Sequence, residues 1–383
     1  MPRRLWTSPL GPAALRVRLS AARAAELARR APRWAAMART RPASHLQTAV
    51  FYGHEWIPGR GEAAHGGTVK FQSLQDVFPN RPRDWNLLYV GASTIPPDAA
   101  ILLRLARRRR AAVVWNQAGV ASPGWHGPGW QGANKPLAQM LHAADHVFFQ
   151  SEFSKLGSDL FLGERRGPWE VLYNPVDTAR FTPEPRPPGR PLTILLGGNQ
   201  YQHYRFDSAV RAFAHLAREH PEARLLVSGR LSWTRLTDLD EAYRSAARLL
   251  SELAIADRVE LVGTYTQLEA PELMRRADVL VHTKYNDPCP GVVIEAMACG
   301  LPVVYSSSGG VPELVGPEAG IGIPAPLDWE KDHSPEPELL ARALAEAAER
   351  LPELSSAARA RAVERFDVRP WIERHREVFR SLL

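Results

Sequence analysis

Residues 277–313 read ADVLVHTKYNDPCPGVVIEAMACGLPVVYSSSGGVPE. An apolar run at 278–282 (DVLVH) enters a loop closed by Pro288 and Pro290. A helix-sized stretch then opens at Gly291 and runs to Cys299, and a second apolar run, 302–305 (PVVY), follows at once. Short β-rich runs on either side of a helix are the repeating unit of a parallel α/β sheet. The helix start offers unpaired backbone N–H groups and the positive end of the helix dipole, which suits a diphosphate. Gly291 removes the side chain where a phosphate must come close to the backbone, and Val292 and Val293, next in the helix, are read with it as donor-binding.

Glu295 lies four residues into this helix, about 6 Å along the axis at ~1.5 Å per residue, so its carboxylate can meet a group beside the phosphate. Asp287 stands in the loop on the near side. Two carboxylates bracketing an anion site can divide the work, each accepting hydroxyl hydrogen bonds from one of the two sugars that a nucleotide-sugar carries.

Outward from this segment the same alternation recurs. Runs at 192–196 (LTILL), 224–228 (RLLVS) and 259–262 (VELV) read as strands, with helices over 207–219, stopped by Pro221, and over 238–254, 268–276 and 291–299. Segment 182–192 (TPEPRPPGRPL) holds five prolines and reads as a linker, because proline neither donates to a ladder nor continues a helix. Before it, 48–52 (TAVFY), 87–90 (LLYV), 112–115 (AVVW) and 146–149 (HVFF) read as strands separated by helical spacing such as Phe71, Leu74, Val77 and Phe78. The pattern predicts an α/β protein of two Rossmann-like parallel-sheet domains facing across a cleft, 45–185 and 186–366, with a C-terminal helix, 367–383, packing back on the first. No G-x-G-x-x-G follows a strand, which argues against a dinucleotide oxidoreductase.

The chain has 383 residues, 45% apolar and 23% charged, and two cysteines, Cys289 and Cys299, ten residues apart. A chain of this length buries a core without disulfides or a structural metal, and the cysteines form neither a zinc set nor a disulfide framework. Reduced cytoplasmic surroundings are the expectation. The formal charge of +7 is lopsided: residues 1–44 hold ten arginines and one acid, Glu26, a net +9, whereas 45–383 carry 38 basic and 40 acidic groups, a net −2. The body lacks the basic balance of a nucleic-acid-binding protein. Segment 13–39, with Leu15, Leu19, Ala22, Leu27 and Trp34, reads either as an amphipathic helix in peripheral contact with anionic membrane or as a solvated extension. No run approaches the ~20 apolar residues of a membrane-spanning helix.

These residues resemble the family 4 glycosyltransferases, the group 1 type enzymes of GT-B fold. The resemblance covers most of 46–383 and is strongest over 171–315. Residues 174–181 (NPVDTARF) are similar to that family's N-G-V-D-x-x-x-F signature. Residues 196–198, followed by a helix with Ala212 and Phe213, resemble its diphosphate-binding turn, which implies donor contacts at Gly198 and Asn199. Ser228 and Gly229 end the next strand as the family does. Residues 309–313 (GGVPE) match the segment after its E-x7-E motif, which brings Gly309, Gly310 and Glu313 to the donor. The resemblance implies that Asp287 faces the transferred sugar and Glu295 the ribose. It departs in three places. The first glutamate of the motif is Asp287; Asn199 stands where the family often has an arginine after the glycine turn, and Tyr204 and Arg205 where it has a lysine, leaving Arg205 to meet the diphosphate; and Asn116, Gln117 and Ala118 stand where it has a histidine, whose role falls to Gln117 or His126 or to none.

In the N-terminal half, loop 57–67 (IPGRGEAAHGG) ends in Gly66 and Gly67 ahead of a helix with Lys70, and in the family such a loop lies against donor phosphate and acceptor. A simple turn also explains the glycines. Trp115, Trp125 and Trp130 punctuate 115–130; aromatic faces for a sugar and anchors for a long loop are the two readings, with Trp125 beside His126 the better sugar candidate. Asp238 and Asp240 read as acids at a helix start, His203, His282 and His333 lack metal-ligand spacing, and Cys299 and Ser306–Ser308 lack a nucleophile's surroundings. The resemblance implies a retaining glycosyltransferase with a nucleotide-sugar co-substrate, a glycan or lipid-linked acceptor from envelope or exopolysaccharide synthesis, and no metal or other cofactor. A GT-B binding protein without turnover and a nucleotide-sugar epimerase are the alternatives.

Overall fold

The computed structural model describes residues 12–64, 66–233 and 239–383. The chain divides into two compact units. One comprises the chain up to Gly59, Gly67–Leu172 and Pro370–Leu383; the other comprises Arg60–Gly66 and Tyr173–Arg369.

The first unit is a five-stranded parallel sheet of β1 (Val50–Phe51), β2 (Leu87–Gly91), β3 (Ala112–Gln117), β4 (His146–Phe149) and β5 (Trp169–Val171), in that spatial order. Every residue of β1 to β4 is buried, as expected of parallel strands covered on both faces. Trp115 belongs to this core and is no sugar platform. Helix Val368–Ser381 lays His375 and Phe379 against the sheet, with the His375 ring 3.0 Å from the Tyr89 hydroxyl and Phe379 edge-on to Phe78. The arginine-rich segment is helical over Pro12–Arg39, and its end is packed rather than solvated: Met37 enters the core with Phe51, Trp85 and Leu88. Residues 1–11 of the expected extension lie outside the described residues.

The second unit is a six-stranded parallel sheet of β6 (Thr193–Leu196), β7 (Arg224–Ser228), β8 (Val259–Gly263), β9 (Val279–His282), β10 (Val303–Ser307) and β11 (Gly320–Pro324). Its order is β11-β10-β9-β6-β7-β8. β5 and β11 were not expected. β11 alternates glycine and isoleucine because it lies tight on β10: a Cβ at Gly320 would fall 2.1 Å from the Val303 carbonyl oxygen. Asp238 of the Asp-x-Asp pair lies outside the described residues, and Asp240 sits in the first turn of helix Leu239–Glu252, where an acid meets the dipole.

The proline-rich run 182–192 does not join the units; it is strapped to the second. Buried Asp278, at the foot of β9, accepts from the Thr193 N–H at 2.8 Å and from Arg186 Nε at 2.9 Å, and also pairs with Arg190. Removing this carboxylate strands one backbone donor and two guanidinium groups, so Asp278→Ala is expected to cost about 3 kcal/mol, read as an earlier urea transition. A midpoint equal to that of the unsubstituted protein would show that the strap contributes nothing.

Candidate functional site

β6 is the first strand of its sheet. From it the chain winds outward through β7 and β8, then returns to place β9 on the other side of β6 and continues through β10 to β11. The loops after β6 and β9 therefore leave in opposite directions and open a crevice at the carboxyl ends of the strands, the place where doubly wound sheets hold ligands. Residues 197–202 leave β6 for helix His203–Glu219; residues 283–290 leave β9 for helix Gly291–Ala298.

Crowding of backbone fixes this end of the sheet. A Cβ at Gly197 would lie 2.6 Å from Val292 Cγ2, and one at Gly229, where φ is +84°, would lie 2.5 Å from the carbonyl carbon and oxygen of Gly198. The turn and the helix start come this close only because no side chain intervenes. Buried Gln200 donates from Nε2 to the carbonyls of Gly197 and Gly198 at 3.2 and 2.7 Å. Asn199 accepts the Arg230 N–H at 2.7 Å and donates to the Tyr201 hydroxyl, so its side chain shapes the turn.

The helix after the turn begins at His203, four residues earlier than the sequence pattern suggests, which puts Tyr204 and Arg205 in its first turn. The Tyr204 hydroxyl accepts the Tyr285 N–H at 3.0 Å and braces the opposite loop. Arg205 is buried. Its Nη1 donates to the Asn199 carbonyl at 2.7 Å, while its Nε has no partner among the described residues. Burial lowers its pKa against the pull of nearby Asp287, yet a guanidinium keeps its charge at neutral pH.

Asp287 lies 3.0 Å from Lys284 Nζ through Oδ1 and 3.3 Å from His282 Nε2 through Oδ2. Burial alone would raise its pKa, but Lys284, His282 and Arg205 together hold it well below the usual carboxylate range. Burial also lowers the His282 pKa, which leaves that ring neutral at neutral pH. Gly309 supports this loop from behind. At φ +70°, a Cβ there would fall 2.5 Å from the Asp287 carbonyl oxygen, and the Gly310 N–H donates to that same oxygen at 2.9 Å.

Glu295 is buried and accepts from Gln267 Nε2 at 2.9 Å. It folds back toward the start of its helix, its Oε1 3.9 Å from where a Cβ on Gly291 would stand. Burial raises its pKa, with Gln267 opposing. Val293 contributes little to an open anion site: its N–H donates to the Pro290 carbonyl and its side chain is in the core, which leaves the amides of Gly291 and Val292. Glu313 accepts from the Tyr173 hydroxyl at 3.3 Å. Asn174 of the NPVD segment donates to the Cys289 carbonyl at 2.8 Å and so anchors the loop ahead of Gly291.

At the start of helix Gly66–Gln75, Gly67 lies against Ser93, whose Oγ is 2.3 Å from a Cβ built at Gly67; at Gly66 such a Cβ would meet open space. Lys70 is buried, with Nζ donating to Asn116 Oδ1 at 2.6 Å, and Gln150 Nε2 donates to the same oxygen. Gln117 accepts from Trp115 Nε1 at 2.7 Å and donates to the carbonyls of Ala118 and Gly119, which makes it a loop anchor. Trp125 is 38% exposed and lies with His126 on the short helix Pro123–His126, whereas Trp130 packs edge-on against Phe161. Lys284 and Gln267 are the site residues the sequence reading passed over. Lys284 stands three residues before Asp287, a usable signal; Gln267 reaches Glu295 from another loop and leaves no local trace.

Residues 177–334 match the family model for glycosyl transferases group 1. The phosphatidylinositol N-acetylglucosaminyltransferase gpi3 subunit of Schizosaccharomyces pombe is 25% identical over 146 residues, 38% of this chain and 30% of that protein. The D-inositol 3-phosphate glycosyltransferase of Streptomyces bingchenggensis is 35% identical over 133 residues, 33% and 28% of the two chains. The chain thus spans less than a third of the length of these curated relatives. Among solved structures, Anabaena Alr3699/HepE in complex with UDP-glucose superposes with a TM-score of 0.61 at 20% identity, covering 82% of both chains. Sucrose-phosphate synthase from Thermosynechococcus elongatus gives 0.63 at 18% identity, over 82% of this chain and 76% of that one. Family model and fold agree with the resemblance carried by the sequence motifs: the match is to the group 1 glycosyl transferases, over residues 177–334, in a chain whose two parallel-sheet units have the GT-B fold.

Proposed function

We propose that the protein is a retaining, metal-independent glycosyltransferase that moves a sugar from a nucleoside diphosphate sugar to a hydroxyl of a glycan or lipid-linked acceptor of envelope or exopolysaccharide synthesis. One observation carries this reading: a turn free of side chains, Gly197 and Gly198 braced by Gly229, meets a helix start at Gly291 at the switch point of a parallel sheet, with a buried arginine and two buried carboxylates around it. The diphosphate lies on the amides of Gly291 and Val292. Arg205, whose Nε has no partner among the described residues, and Lys284 supply positive charge as the leaving diphosphate gains negative charge. That assignment of charge is why no metal ion is invoked. Glu295 accepts the ribose hydroxyls and Asp287 a hydroxyl of the transferred sugar.

In the step itself the bond from the anomeric carbon to the diphosphate oxygen breaks, and the acceptor oxygen bonds to the same face of that carbon. The acceptor proton passes to the leaving phosphate. Asp287, held by Lys284 and close to His282, is a weak nucleophile, which favours this same-face route over a covalent intermediate. The names of the yeast and Streptomyces relatives describe glycosylation of inositol-bearing molecules, and the Anabaena neighbour holds UDP-glucose; both support a hydroxyl acceptor and a nucleotide-sugar donor. No helix among the described residues is long and apolar enough to cross a membrane, and the proposed setting is the cytoplasm or its membrane face.

Asp287→Ala and Glu295→Ala are each expected to lower kcat/KM by about a hundredfold, roughly 2.7 kcal/mol, in transfer assays over a nucleotide-sugar panel, with turnover in the unsubstituted protein insensitive to EDTA. Unchanged turnover in both variants overturns the site. Binding without turnover in the unsubstituted protein makes it a binding module, and isomerised donor released without acceptor makes it an epimerase.

The Glu295 carboxyl also links donor binding to stability. Its folded-state pKa is raised by burial, so the fold disfavours the ionised form, and stability is lost as pH rises from the ordinary carboxylate range through the raised value. Glu295→Gln keeps an acceptor for Gln267 and removes that loss. The variant is expected to melt above the unsubstituted protein at about pH 7, with the gap closing toward about pH 4, while its donor affinity falls. A gap that widens on acidification contradicts the sign.

A further inference from the structure

Arg29, Arg30 and Arg33 share one face of helix Pro12–Arg39, at the i,i+3 and i,i+4 spacings that make helix residues neighbours. With His54, Glu55 and Trp56, from the segment after β1, they line a cavity of about 300 Å³, at the low end of the ~300–1,000 Å³ of small-ligand sites. The wall is built. Buried Asp98 accepts from Arg30 Nη1 at 2.9 Å and from Trp34 Nε1 at 2.8 Å, and lies 3.3 Å from Arg33 Nη2, which donates at 3.1 Å to the Gly53 carbonyl. The Arg33 guanidinium stands over the Phe51 ring, 5.4 Å from its centre, and its buried Nε has no hydrogen-bond partner among the described residues. Glu55, 63% exposed, is 3.9 Å from that nitrogen. Arg29 makes no ion pair with any described residue. His54 meets the Thr94 carbonyl at 2.8 Å, and Trp56 is 62% exposed. Among the described residues, three guanidinium groups thus face two carboxylates, one of them locked behind the wall, beside an exposed indole.

We propose that this pocket binds a phosphate ester, its phosphate held by Arg29 and Arg33 and its carbon skeleton resting on Trp56. Arginine suits the task because its planar fork matches two phosphate oxygens at once and its charge does not titrate. All six lining residues belong to the first unit, whereas the residues of the donor crevice belong to the second. The ester is carried either by a small soluble molecule or by a phospholipid headgroup, and the two sources give different results.

The full chain is titrated with glycerol 3-phosphate by calorimetry and floated with vesicles of phosphatidylcholine, alone or mixed with phosphatidylglycerol, while UDP binding is followed in parallel. Saturable binding is expected in at least one arm, weakened by about tenfold or more in Arg29→Glu and in Trp56→Ala. Both side chains are exposed, so neither variant empties the core. Arg41→Glu makes the same charge change outside the pocket and is expected to keep binding within about twofold. UDP affinity is expected to stay constant throughout, which separates failure of this site from failure of the donor reading. Binding of glycerol 3-phosphate assigns a soluble ester; binding confined to phosphatidylglycerol vesicles assigns a headgroup. Absence of saturable binding in both arms, or equal losses in Arg29→Glu and Arg41→Glu, overturns the proposal, the second result marking diffuse attraction to a basic helix.

Discussion

The second unit depends on two places where backbone lies against backbone with no room for a side chain. At one, the turn after β7 presses Gly229 on the Gly198 peptide; at the other, the segment after β10 presses Gly309 on the Asp287 peptide. Each contact ties the loop of one strand to the loop of its neighbour, so the glycine turn and the Asp287 loop are positioned by the sheet and need no ligand to form. Val292 closes the gap between them by packing on Gly197, and the open end of its helix then lies beside the turn. Loops preorganised in this way would lose little order on binding an anion, and fixed dipoles need no reorientation as charge develops.

Within that frame the two carboxylates behave oppositely although both are buried. Asp287 has cations at hand, Lys284 and Arg205, and stays ionised; among the described residues Glu295 has the neutral amide of Gln267 and no cation. Burial penalises both charges, and the neighbours decide which penalty is offset. The shorter side chain of Asp287 fits this account. Its carboxylate stays close to the loop backbone, within 3.0 Å of Lys284, three residues earlier in the same loop. Lys284 thereby places an ammonium in the crevice while Tyr204 braces the opposite loop, and the cations of the site come from different strands of the sheet.

How much of this could be read beforehand follows from how local each signal is. β-Branched runs such as TILL and VLVH need no context to be strands, and the D-x7-E spacing across a Pro-closed loop needs little more. β5 and β11 carry no such run: Trp169–Val171 is a short, half-exposed edge, and Gly320–Pro324 is a strand chosen for thinness. The start of the helix at His203 was hidden because Gln202 provides no side-chain cap. Asn116 is one of three residues that stand where the resemblance has a histidine, and it receives buried Lys70 from 46 residues away and Gln150 from 34. Only the folded sheet brings those three together, and a polar residue at a strand end looks the same in sequence whether it meets substrate or a lysine.

Net charge shows the same limit from the other side. A count over residues 1–44 makes the segment a diffuse cationic arm, in which every arginine is equivalent. In the folded unit they are not. Arg30 and Arg33 are held by Asp98, which lies beyond the segment and counts in its neighbour's balance, while Arg29, one turn away, stays unpaired among the described residues. Coulombic attraction over a helix face is screened within ~8 Å at physiological salt, but a guanidinium fixed by a buried carboxylate and an aromatic ring acts at contact distance, where screening is weak. The arginines with fixed geometry are therefore those whose positions are set by partners, and Met37, buried in the core, keeps that end of the helix on the unit.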